Sequence, residues 1–279
     1  MKTLYVSDLD GTLMQPDARL SPRTVALLNG AVADGKLFTV ATARTPATVA
    51  GILRDVDMRL PAVVMTGAAL WNPRDGRYSR ECHFDPRAAE RLVDIYRETG
   101  TPTFLFTLDG DMIDIYHIGG RLNEIQRQFV AEREESPYKR FHLAADGADT
   151  LPADLSHVIL LYTMLPDAKA FATYGRTRDV PGIRAQYYHD IYGPEVGILE
   201  AFSDRATKAL AVRALADSVG ADRVVCFGDN INDLPMMAVA DLAVAVENAL
   251  PEVKEAADIV IGPNTADSVA EFIAADSGE

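Results

Sequence analysis

From both ends of this chain, short β-branched, apolar runs alternate with stretches of helical spacing, joined by short connections. That order calls for a parallel sheet with right-handed crossovers. At the N-terminal end, residues 2–7, 37–41 and 62–65 read as strands. A helix begins at Ser21-Pro22, with Ser as N-cap and Pro in the first turn, and Asp34-Gly35-Lys36 stops it. A second helix follows Thr42-Ala43-Arg44-Thr45-Pro46 and runs to Asp57. Leu70-Trp71-Asn72 and Arg77-Tyr78-Ser79, joined through Pro73-Arg74-Asp75-Gly76, read as a hairpin with Trp71 as a packing residue. Towards the C-terminus, strands at 196–202, 224–227, 242–246 and 258–261 alternate with helices at 206–219, 234–239, 251–256 and 266–274.

The middle has another texture. Helices at 86–99, 121–135 and 167–174 are interleaved with strands at 103–107, 112–116, 158–164 and 183–188, the first two about the turn Leu108-Asp109-Gly110-Asp111. Helices among antiparallel hairpins indicate an inserted α+β domain. The expected fold is therefore α/β: a Rossmann-like parallel-sheet core from residues 1–81 and 191–279, with an inserted cap over 82–190.

Charge limits the partners. A formal net charge of −14 argues against nucleic acid and anionic membrane, which need a basic face. A phosphorylated ligand would have to be held by local cations or helix N-termini. No apolar run approaches the ~18 residues of a membrane span, and the first residues lack a basic segment leading into an apolar one, so a soluble cytoplasmic protein is expected. Of the two cysteines, Cys226 lies in an apolar run and reads as a small core residue. Cys82-His83 lacks the second ligand pair of a zinc site.

The chemistry gathers at element ends. In Asp8-Leu9-Asp10-Gly11-Thr12, which ends the first strand, the period-2 alternation of side chains puts two carboxylates on one side. Gly11 then permits a sharp turn. Ligands of open parallel sheets sit at the carboxyl ends of strands, where Thr42 also falls. Its hydroxyl, with the N–H of Ala43 at a helix start, suits an anion. Lys208 opposes the macrodipole at its helix start, which favours a role as a point charge over a structural one. In Gly228-Asp229-Asn230-Ile231-Asn232-Asp233, Asp229 together with Asp8 offers oxygens suited to Mg²⁺. Asp233 reads as a further metal carboxylate, as a group orienting the site, or as the N-cap of the helix at Leu234-Pro235.

Taken in order, these four stretches resemble the four motifs of the haloacid dehalogenase-like hydrolase superfamily, over essentially the whole chain. The insertion after the third strand and hairpin resembles its Cof-type phosphatases with a large α/β cap. The resemblance implies a Mg²⁺-dependent phosphatase of small phosphorylated metabolites, sugar phosphates first and phosphorylated flavin or pyridoxal compounds next. It implies Asp8 as the nucleophile that forms an aspartyl-phosphate, and Asp10 as general acid and then base. It also implies a metal site of Asp8, Asp10 (through its main-chain carbonyl), Asp229 and Asp233. Thr42, Ala43, Lys208 and Asn232 would surround the phosphate. The cap would select the substrate. His189-Asp190, where the chain returns to the core, reads as a surface or packing pair, with a place facing the cleft as the alternative. The sequence departs from the family pattern at Ala43, where Gly is usual, at Thr66-Gly67-Ala68 for Asn-Gly-Ala, and at Glu247 for Gly. Two other readings use the same residues: a phosphomutase on this scaffold, and a phospho-accepting signalling module. The second aspartate and the long insertion count against the signalling module.

Overall fold

The strand that leads to the acid pair, β1 (Thr3–Ser7), is buried along its whole length. Leu4 and Val6 on one face and Tyr5 on the other are at most 1% exposed, so both faces of the strand are covered, as in parallel sheets sheathed by helices. The computed structural model describes residues 1–189 and 193–277. It falls into two units, Met1–Arg80 with Ala206–Glu279 and Glu81–Arg205.

In the first unit, α1 (Pro22–Ala33) starts as its sequence reads, with Ser21 Oγ accepting the Thr24 N–H at 2.9 Å. There follow β2 (Leu37–Val40), α2 (Pro46–Leu53), β3 (Ala62–Val64), β4 (Ala69–Trp71) and β5 (Tyr78–Ser79). Strand β3 touches the parallel sheet through a single bridge, Ala41 to Val63, and pairs chiefly with β4, antiparallel. Trp71 is buried, and its indole N–H closes the β4–β5 hairpin on the Gly76 carbonyl at 3.1 Å.

The second unit contains α3 (Pro86–Glu98), β6 (Thr103–Asp109), β7 (Met112–Ile118), α4 (Glu124–Ala131), β8 (Lys139–Phe141), β9 (Val158–Pro166), α5 (Asp167–Thr177), β10 (Ile183–Tyr188) and β11 (Val196–Ser203). Its six-stranded sheet runs β10-β11-β9-β6-β7-β8, antiparallel except for the β7–β8 pair. Ala88, Ala89, Leu92, Val93 and Tyr96 form one stripe of α3 at helical spacing and pack with Leu105, Leu161 and Leu199.

Three expectations need correcting. The helix expected over 121–135 spans Glu124–Ala131, started by a reciprocal cap between Asn123 and Gln126. Strand β8 is too short and too charged to show in the pattern. Most consequentially, residues 196–202 do not return to the parallel core. Strand β11 pairs antiparallel with both β9 and β10, and it is buried throughout. An apolar run covered on both faces looks the same whichever sheet it joins. The boundary expected at 190/191 lies outside the described residues; the change of unit falls between Arg205 and Ala206. There the outgoing and returning segments run side by side, with the Arg205 guanidinium donating to the His83 carbonyl at 3.3 Å and Cys82 Sγ to the Arg205 carbonyl at 3.6 Å. His189 is tied within the second unit, its Nε2 2.6 Å from Asp167 Oδ1; Asp190 lies outside the described residues.

Back in the first unit come α6 (Lys208–Val219), β12 (Arg223–Gly228), α7 (Leu234–Met237), β13 (Leu242–Val246), α8 (Pro251–Ala256), β14 (Ile259–Ile261) and α9 (Ser268–Ala275). The sheet order is β14-β13-β12-β1-β2, parallel throughout. The chain's first strand thus lies between strands from its two separate segments. Lys36 closes the ring: its ammonium donates to the carbonyls of Ile273, Ala274 and Asp276 at 2.5, 3.0 and 2.7 Å, a favourable place for a cation at a helix C-terminus. Among the described residues, no helix is long and apolar enough to cross a membrane.

The placement of β11 is testable at Gly197. A Cβ there would lie 2.6 Å from Ala170 Cβ and 2.9 Å from the Tyr187 ring, so Gly197→Ala overpacks the contact between α5 and the second sheet. We expect a loss of about 1–3 kcal/mol in urea unfolding; an unchanged midpoint would remove β11 from this sheet.

Candidate active site

The register of three parallel strands brings the chemistry to one edge. Ser7 pairs with Phe227 on β12 and with Val40 on β2. Just beyond, the Asp8 N–H donates to the Phe227 carbonyl at 3.0 Å and the Ala41 N–H to the Ser7 carbonyl at 2.8 Å. Asp8, Thr42 and Asp229 therefore leave the sheet at its carboxyl ends from neighbouring strands.

The turn Leu9–Leu13 carries Asp10 around Gly11, whose φ is +75°. A Cβ at Gly11 would stand 2.3 Å from Asp229 Oδ2, so the glycine serves the close approach of two loops as well as the turn. Thr12 clamps that approach, its hydroxyl donating to Asp229 Oδ1 at 2.7 Å. From the far side the Asn248 amide donates to the Gly11 carbonyl at 2.7 Å.

Lys208 stands at the centre. It is the first residue of α6, capped by the Thr207 hydroxyl, which accepts the Leu210 N–H at 3.1 Å. Its side chain is 1% exposed, and its ammonium donates to Asp8 Oδ1 at 2.5 Å and to Asp233 Oδ1 at 2.7 Å. Gly67, at φ +92°, lets the loop after β3 press on the head of this helix, since a Cβ there would meet the Thr207 carbonyl at 2.2 Å. Asp233 is fully buried. Its other oxygen accepts the N–H groups of Asp229 and Asn230, both at 3.1 Å. Although Asp233 precedes α7, its side chain makes no capping bond to that helix. It folds back and holds the loop that carries Asp229.

Carboxylate oxygens of Asp8, Asp229 and Asp233 all lie within 4.8 Å of one another. Burial pushes the Asp8 carboxyl up to about 7; Lys208 pulls it down, and Asp233 and Asp229 add to the rise. Burial likewise lifts Asp229 to about 6, against the Thr12 hydroxyl bond that favours its anion. Burial alone would lower the Lys208 ammonium, but Asp8 and Asp233 hold it above the ordinary lysine value. Burial also pushes the Cys226 thiol well up, consistent with an inert core residue.

The other expected residues are placed differently. Asp10 does not join the acid cluster. Its carboxylate is exposed and gripped by Arg44, Nε to Oδ2 at 2.7 Å and a terminal nitrogen to Oδ1 at 2.6 Å. The Thr42 side chain is buried, and its hydroxyl accepts the Arg44 N–H at 3.1 Å. Ala43 and Asn232 are exposed. Arg44 and Thr12 belong to the stretches at 42–46 and 8–12, and Asn248 follows Glu247, but nothing in the spacing shows which loop each side chain reaches. The departure at Thr66 has a visible cost. At φ +55° this β-branched residue sits in the left-handed region, where asparagine is far better tolerated, and its buried hydroxyl has no hydrogen-bond partner among the described residues.

Known proteins share this plan. A 5-amino-6-(5-phospho-D-ribitylamino)uracil phosphatase of Bacillus subtilis is 24% identical over 284 residues, covering 97% of this chain and 96% of that protein. A pyridoxal phosphate phosphatase of Escherichia coli is 27% identical over 271 residues, covering 95% of each. The crystal structure of a haloacid dehalogenase-like hydrolase from Bacteroides thetaiotaomicron superposes with a TM-score of 0.75 at 23% identity, over 98% of both chains. The model of the haloacid dehalogenase-like hydrolase family matches residues 5–273, and with its inserted six-stranded unit the chain belongs to that family, in the Cof-type branch.

Proposed function

We propose that this protein is a Mg²⁺-dependent phosphatase of small phosphorylated metabolites that works through an aspartyl-phosphate on Asp8. The observation that carries the reading is the Asp8–Lys208–Asp233 bridge with Asp229 alongside: three carboxylates within 4.8 Å of one another, facing one buried ammonium. If all are ionised the cluster has excess negative charge in a largely buried place, which is costly unless a cation completes it. The donors are hard oxygens, the type Mg²⁺ takes together with water and a phosphate oxygen. Asp8 and Asp229 would hold the ion, with the Asp10 main-chain carbonyl as a third ligand. Both oxygens of Asp233 already serve Lys208 and two backbone N–H groups, which supports it as the group that orients the site. Bound there, Mg²⁺ would neutralise charge on the phosphoryl oxygens and let an anionic carboxylate approach a phosphate.

Each protein group then has one task. Lys208 engages Oδ1 of Asp8, which leaves Oδ2 to attack phosphorus in line. Thr42, the Ala43 N–H, Lys208 and Asn232 bind the transferring oxygens. Asp10 gives its proton to the leaving alkoxide, then takes one from the water that attacks the phosphoenzyme. The burial of Asp8 limits bulk water at the nucleophile. Sugar phosphates are the leading substrate class, with cofactor precursors next. A relative named for a phosphoribityl compound and another for pyridoxal phosphate support both, since a ribityl phosphate is a sugar-alcohol phosphate. A cytoplasmic location suits such substrates.

The direct test is inorganic phosphate release from a panel of sugar, nucleotide and cofactor phosphates with Mg²⁺. Release is expected to vanish in EDTA; hydrolysis that persists in EDTA would refute the metal role, and isomerised product without free phosphate would make the protein a mutase. Asp10→Asn should form the phosphoenzyme slowly and fail to turn over, with kcat reduced by about 10²-fold or more; rapid turnover by that variant would refute the acid–base assignment.

Stability supplies a test independent of activity. A carboxyl held at about 7 when folded, against about 4 when unfolded, keeps its proton in the folded state across that window. Without metal, stability therefore falls as pH rises from about 4 to about 7, by at most about 1.4 kcal/mol per pH unit for this group. In EDTA the wild type should lose ground to Asp8→Asn between pH 5 and pH 7.5. Added Mg²⁺ should raise the wild-type Tm more at pH 7.5 than at pH 5. An equal Mg²⁺ increment at both pH values would show that the ion does not replace a proton on these carboxylates.

A further inference from the structure

The Asp10 carboxylate is 54% exposed, and Arg44 supplies the hydrogen bonds that hold it among the described residues. An aspartate at such a turn samples several rotamers unless something fixes it. Here a guanidinium grips both oxygens at 2.7 and 2.6 Å, the two-armed geometry that sets direction as well as distance. Arg44 is itself anchored, its N–H on the Thr42 hydroxyl at 3.1 Å and its carbonyl accepting the Met65 N–H at 3.0 Å. At 26% exposure its side chain is better covered than its partner. The pair therefore ties the turn after β1 to the loop after β2, one bearing the proposed acid and the other the proposed phosphate-binding hydroxyl.

We propose that Arg44 is a positioning residue, which aims the Asp10 carboxyl at the ester oxygen of an alkyl phosphate. The inference rests on the phosphatase reading of the same site. In the first half-reaction Asp8 Oδ2 forms its bond to phosphorus while the P–O ester bond breaks. The electron pair of that bond goes to the ester oxygen, which takes the Asp10 proton. With one Asp10 oxygen still held by Arg44, the other presents its O–H to the leaving group. An alkoxide needs that proton as it departs, whereas p-nitrophenolate leaves readily without it. A guanidinium that bound phosphate alone would serve both esters equally.

The experiment compares kcat/KM, which covers the steps through phosphoenzyme formation, for two esters. One is p-nitrophenyl phosphate; the other is the alkyl phosphate that the wild type turns over fastest. General acids contribute about 10²–10⁴-fold, so Arg44→Met should cost about 30-fold or more on the alkyl ester and less than about 3-fold on the aryl ester. Arg44→Lys should stay close to Arg44→Met on the alkyl ester, because an ammonium carries the charge without the planar fork that sets the direction of the carboxyl. In an Asp10→Asn background, read as the single-turnover rate of phosphoenzyme formation, Arg44→Met should cost less than about 3-fold more, since both changes remove one function. Should Arg44→Met not fold, as judged by its melting transition, Arg44→Gln retains one donor and carries the comparison. Equal losses on the two esters, additive with Asp10→Asn, would overturn the positioning role while leaving the phosphatase reading intact. A wild type inactive on every ester would overturn that reading, and this one with it.

Discussion

The ammonium of Lys208, buried between Asp8 and Asp233, is the interaction on which the site depends. Taken alone, an ammonium at the first position of a helix opposes the macrodipole, and burying it adds a desolvation cost. Both penalties are offset because two carboxylates meet it at hydrogen-bond distance. Each of those carboxylates is in turn held by the backbone around it. Asp8 is fixed by the β1–β12 register, and Asp233 by the two N–H groups it accepts. Removing the lysine would leave three acids together in a place with little water to screen them. The arrangement is thus one electrostatic unit and not a set of independent contacts.

That unit joins distant parts of the sequence, Lys208 and Asp8 being 200 positions apart. The fold makes this possible by threading β1 between β2 and β12, so the insertion can lengthen without moving the site. Glycines at 11 and 67 allow the loops to approach within distances that no side chain would tolerate. Thr12 and Asn248 then pin the turn that carries Asp10. The two aspartates of that turn end in different surroundings, one buried against a lysine and one exposed against an arginine. The proposed division between a nucleophile and a proton carrier would use this difference.

Much of this is legible in the sequence alone. The alternation of strands and helices at both ends announced the parallel core, and the Asp8/Asp10 pair, Lys208 and Asp229 stood at element ends where such sheets bind ligands. What stayed hidden has a physical reason in each case. Strand β11 is as apolar as a parallel core strand, and local pattern does not reveal which neighbours pair with it. Asp233 reads as a metal ligand or as an orienting or capping group, because each needs an acid at that position; the direction of its hydrogen bonds is a property of the folded loop. Arg44 lay in a quoted motif, yet its reach to Asp10 depends on the spacing of β1 and β2. The strained Thr66 likewise needs the backbone: nothing in Thr-Gly-Ala shows a positive φ.

The proposed function turns on covalent phosphorylation of Asp8. The most direct measurement is rapid acid quenching of the wild type during turnover, followed by mass mapping of its peptides at low pH, where acyl phosphates persist. A phosphoryl group is expected on the peptide spanning the end of β1, localised to Asp8, appearing within the first turnover and disappearing as substrate is exhausted. An active enzyme with that peptide unmodified at every quench time, or with the phosphoryl group on another residue, would contradict it.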